Sequence, residues 1–126
     1  MDNTNNIEAL ILASIGITKG ARELASSVYN LQKSDSNVDR VTFSRHSLKG
    51  YAGAPFLVAD VELNEPFSDV EHFINYLKSR NFPNDNSSIM LESKDPLNIG
   101  FQTNAYTSDA FCARFYQPYR IRTKEN

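Results

Sequence analysis

Residues 67 to 80 read FSDVEHFINYLKSR, and they constrain the fold more than any other stretch. Val70, Phe73, Ile74 and Leu77 recur at helical spacing. A helix with one apolar stripe must lay it on an apolar surface supplied elsewhere in the chain. Ser68 stands where a capping residue belongs, and Glu71, three residues later, completes a capping box for the orphan amides of the first turn. Lys78 and Arg80 fall in the last turn, where cations complement the negative end of the helix dipole.

The surface that receives this helix is legible in two-residue alternation. FLVADVELNEP places Leu57, Ala59, Val61 and Leu63 on one face and Asp60 and Glu62 on the other, while Phe56 and Val58 make its first half apolar on both faces, as in a central strand. Upstream, VDRVTFSR sets Val41 and Phe43 against Arg40, Thr42 and Ser44, a half-exposed strand. LKGYAGAP, with Gly50, Gly53 and Pro55, reads as a mobile loop between the two. After the helix, IMLES opens a further strand, and LNIGFQT directs Leu97, Ile99 and Phe101 inward. NAYTSD then turns the chain into AFCARFYQPYRIRT, the last strand.

The N-terminal segment reads as helix from about Asn5 to Gln32. Ile17, Ala21, Leu24, Val28 and Leu31 form one face, and Gly16 and Gly20 mark a junction between two helices. The upstream part, with Ile7, Leu10, Ile11, Leu12 and Ile15, is apolar nearly all round. That pattern suits a core helix or a helix held between two protein surfaces. With 40% hydrophobic and 22% charged residues in 126, the chain has the makings of one packed core without disulfides or metals. The expectation is a single α+β domain, residues 1 to 126. Its sheet is antiparallel, of four to five strands, with an N-terminal helix and a second amphipathic helix packed on one face.

The last strand gathers charge. Phe111, Ala113, Phe115, Tyr119 and Ile121 alternate with Cys112, Arg114, Tyr116, Arg120 and Arg122, so the aromatics fall largely on the core side and the arginines on the outer face. Pro118 cannot donate to a ladder, which implies an edge or a bend there. Formal net charge is -2 for the whole chain, with +3 in residues 114 to 126 and therefore -5 in the rest. A nucleic-acid platform needs aromatics beside its cations, and Tyr116 alone meets that condition, so nucleic acid is not the expected partner. The strip Arg114, Tyr116, Arg120 and Arg122 serves either as a solvated edge or as a contact for an acidic surface, such as Asp60 and Glu62 of a neighbouring subunit.

Chemistry is thinly provided for. Cys112 is the only cysteine, and His46 and His72 are the only histidines, with no zinc-ligand spacing among them. Arg114 is positioned to lower the Cys112 pKa, but nothing in the sequence brings a histidine to the thiol. Asp60 and Glu62, followed by Glu92 and Lys94, resemble the carboxylate and lysine set of Mg²⁺-dependent nucleases; here a whole helix separates the two halves, against that family's adjacent strands. GYAGAP lacks the lysine and helix of a phosphate loop. No catalytic, metal or cofactor-binding residue is assigned, and the expectation is a non-enzymatic protein. IEALILASIGI is too short to span a bilayer and is preceded by no basic residue, so neither a signal peptide nor a membrane anchor is expected.

From PFLVADVEL through the capped helix to NIGFQTNAYTSDAFCARFYQPYRIR, the chain resembles the tail-terminator and neck proteins of tailed bacteriophages in element order, size and patterning. The resemblance implies a homo-oligomeric subunit of a ring at the head-tail joint, a virion component assembled in the host cytoplasm without catalysis or cofactor. LVADVELNEPFSDVEHFINYLKS is also similar to the ferredoxin-like domains of type IV pilus and type II secretion assembly proteins. A small phage or plasmid inhibitor of a host defence complex would need only such a folded acidic domain.

Overall fold

Helical periodicity at the N-terminus breaks where glycine permits it. In the computed structural model, which describes residues 3–47, 55–94, 97–103 and 110–118, α1 spans Asn3–Ala13 and α2 spans Lys19–Tyr29. Between them Gly16 adopts φ +79°, a conformation that residues with a Cβ resist. Thr18 then caps α2, its hydroxyl accepting the Ala21 N–H at 3.5 Å. A short α3, Leu31–Ser34, follows. Ile17, Ala21, Val28 and Leu31 are buried as the spacing predicts, and Ala25 joins them.

Five strands follow: β1 Val38–Ser47, β2 Pro55–Leu63, then α4 Val70–Ser79, β3 Ile89–Lys94, β4 Leu97–Gln102 and β5 Phe111–Tyr116. The sheet order is β1-β2-β5-β4-β3. Three of its four pairings are antiparallel, and the exception is β2 with β5, which run parallel. The α+β class and a mostly antiparallel sheet therefore hold, with one parallel seam. The seam arises because α4 and the β3–β4 hairpin return the chain to the side on which β2 began. β5 then slots between β2 and β4.

Every helix contributes to the cluster that the sheet's inner face completes: Ala13 of α1, Ala21, Ala25 and Val28 of α2, Leu31 of α3, and Phe73 and Leu77 of α4 join Val41, Leu57, Ala59, Val61, Ile99, Phe101, Phe111, Ala113 and Phe115. The α4 stripe meets the sheet through aromatics. Phe73 and Phe115 lie 5.3 Å apart edge to face, and Phe67, just before the helix, stands 5.1 Å from both Phe73 and Tyr76. Tyr76 also donates from its hydroxyl to Asp35 Oδ2 at 2.8 Å, tying α4 to the turn after α3.

Two expectations about α4 and β5 are corrected. The cap of α4 is Asp69, whose carboxylate accepts the His72 N–H at 2.9 Å. Ser68 instead gives its backbone N–H to His72 Nδ1 at 3.0 Å. The cap thus sits one residue later than the Ser68 and Glu71 spacing implied, and His72 reaches back past it to the N–H of Ser68. β5 is an interior strand, not an edge. Pro118 lies two residues past its end, and the preceding Gln117 donates its N–H to Asn98 Oδ1 at 3.0 Å, so the missing proline donor disturbs no ladder. Tyr119 to Arg122, the loop at 49 to 54 and the turn at 104 to 109 lie outside the described residues.

Gly100 sits at a close approach within the sheet. It faces Arg114 across the β4–β5 pair, and a Cβ built there would lie 2.2 Å from the Ala113 carbonyl oxygen and 2.9 Å from the Met90 methyl. No described helix is long and apolar enough to cross a membrane.

Candidate functional site

The face of the sheet turned away from the helices carries most of the charged residues singled out by the sequence. Register alone puts Asp60 of β2 beside Arg114 of β5, Glu62 beside Tyr116, and Arg40 of β1 beside Glu62. The side chains use that adjacency. Arg114 grips Asp60 with two nitrogens, Nε to Oδ1 at 2.8 Å and an Nη to Oδ2 at 3.3 Å. Arg40 reaches Glu62 at 3.0 Å in a more exposed pair. The charges expected to meet across a subunit boundary, Asp60 and Glu62 on one side and Arg114 on the other, are thus partnered within one chain. Arg120 and Arg122 lie outside the described residues.

This pairing sets the local electrostatics. The hydrogen bond that Arg114 donates to Asp60 raises the Arg114 pKa above its ordinary value, so the guanidinium stays charged. Tyr116, half-buried with its ring 5.9 Å from the Arg114 guanidinium carbon, is raised first by burial and then by the Asp60 charge.

Cys112 lies opposite Val58 in the β2–β5 register, and both are buried although they point to the outer face. Burial pushes the thiol up to about 11, and the opposing pull of Arg114 does not offset it. The expected lowering by Arg114 is therefore overridden, and the thiol is protonated and poorly nucleophilic at neutral pH. His46 is engaged with Ser44 at 3.1 Å and lies against Phe56, and His72 is committed to the start of α4. The charges that act on Cys112 among the described residues come from Arg114, Asp60 and Glu92, and from neither histidine.

The acidic set divides as well. β2, with Asp60 and Glu62, is separated from β3, with Glu92 and Lys94, by the whole of β5 and β4. Asp60 is already held by Arg114, while Glu92 stands beyond two intervening strands and shares with it only a charge influence on Cys112 and Tyr116. Among the described residues no group of three metal-ligating side chains gathers.

The surface that the sequence only half revealed is α1. Leu10 and Ala13 turn toward the core, whereas Ile11, Leu12 and Ile15 are 60%, 65% and 62% exposed and Ile7 is 40% exposed. The sequence showed that this segment was apolar nearly all round; only the packing of α1 along β1 decides which side stays open. Arg45 of β1 anchors the end of α1 by donating to the carbonyls of Ala13 and Ile15. It acts as a cation at the negative pole of the helix. Beside the exposed side chains runs an open groove of about 320 Å³, lined by Leu10, Ile11, Ser14 and Ile15 of the α1 segment and Arg22 and Ser26 of α2. Large aliphatic side chains left at this exposure mark a contact surface more readily than a solvated one.

Compared with known proteins, the chain matches no protein-family model, no curated protein and no solved structure.

Proposed function

We propose that this protein is a non-enzymatic assembly subunit that acts by self-association, in the manner of the phage tail-terminator and neck proteins it resembles. The observation that carries the reading is the α1 face, where Ile7, Ile11, Leu12 and Ile15 stand in solvent on a helix whose other side is anchored to the core. Since these side chains are already partly covered, burying each one against a partner is worth about 1 kcal/mol, roughly half of the value for a fully exposed aliphatic side chain. The element order, with helices first, a strand pair, a helix over the sheet and then late strands, also supports the resemblance. The paired outer-face charges leave a ring contact, if made electrostatically, to the basic residues Arg120 and Arg122.

The test is native mass spectrometry of the full chain across a dilution series at low and moderate salt. A discrete oligomer that persists on dilution is expected. A monomer at every concentration would overturn self-association as the function. The double reversal Arg120→Glu with Arg122→Glu then asks whether those arginines supply a salt-sensitive contact.

A further inference from the structure

We draw no further inference here: the strongest candidate, the exposed aliphatic face of α1 beside the groove it shares with α2, already carries the self-association reading, and nothing in the structure shows what covers it.

Discussion

Arg114 and Asp60, 54 residues apart in sequence, are locked in a two-pronged ion pair across the one parallel seam of the sheet. The side chains are 29% and 26% exposed, so water screens the pair only in part. Asp60→Asn should destabilise the fold by about 1 kcal/mol, as should Arg114→Met. A double-mutant cycle by urea denaturation should give a coupling of similar size. Purely additive losses would show that the pair contributes nothing beyond its separate contacts.

Gly100 leaves no room for a side chain. Since the nearest obstacle to a Cβ is the Ala113 backbone carbonyl at 2.2 Å, relief requires β4 and β5 to separate. Gly100→Ala should cost about 3 kcal/mol and lower Tm by roughly 10 °C, an unusually large effect for one methyl group. A thermal melt within a degree or two of wild type would refute the close approach.

The start of α4 offers a paired comparison of neighbours. Asp69→Ala removes the acceptor for the His72 N–H and should destabilise by about 1 kcal/mol. Ser68→Ala keeps the backbone N–H that His72 Nδ1 accepts and should stay within about 0.5 kcal/mol of wild type. The reverse ranking in chemical denaturation would restore Ser68 as the cap.

Cys112 gives a pH signature. Its folded pKa is raised from 9.0 to about 11 by burial, so the unfolded chain loses the thiol proton first as pH rises. Its contribution to stability is fully present below about pH 9 and declines toward about pH 11. Replacing it with alanine should flatten the decline over that window. The tyrosines Tyr76 and Tyr116, also raised, act in the same direction at higher pH. In the native protein a thiol reagent at neutral pH should react far more slowly than with the urea-unfolded chain; equal rates would contradict the burial.

What the sequence conveyed and what it withheld follow from the range of each interaction. Val70, Phe73, Ile74 and Leu77, and the alternations of residues 57 to 63 and 97 to 101, are local periodicities: Phe73, Leu77, Leu57, Ala59, Val61, Leu63, Ile99 and Phe101 enter the core and Val70 packs on it, while Ile74 and Leu97 stay half-buried outside the cluster. Neighbour identity is not local. Alternation assigns Arg114 to the outer face but cannot say that β2 lies beside it, so its pairing with Asp60 and the parallel seam were illegible. The shift of the helix cap from Ser68 to Asp69 turned on two adjacent acceptors, decided by the reach of His72. The apolar circumference of α1 was plain from Ile7, Ile11, Leu12 and Ile15; which arc stays open depended on where β1 and Arg45 hold the helix.

The central place of β5 bears on how the molecule comes into being. During synthesis the β1–β2 and β3–β4 hairpins emerge first, each with an inner border unpaired. Neither hairpin touches the other until residues 111 to 116 leave the ribosome and bridge them, so the nascent chain exposes two ready templates for stray strand addition until its final described strand arrives. The arrival of β5, rather than completion of any helix, is the moment this protein acquires its sheet.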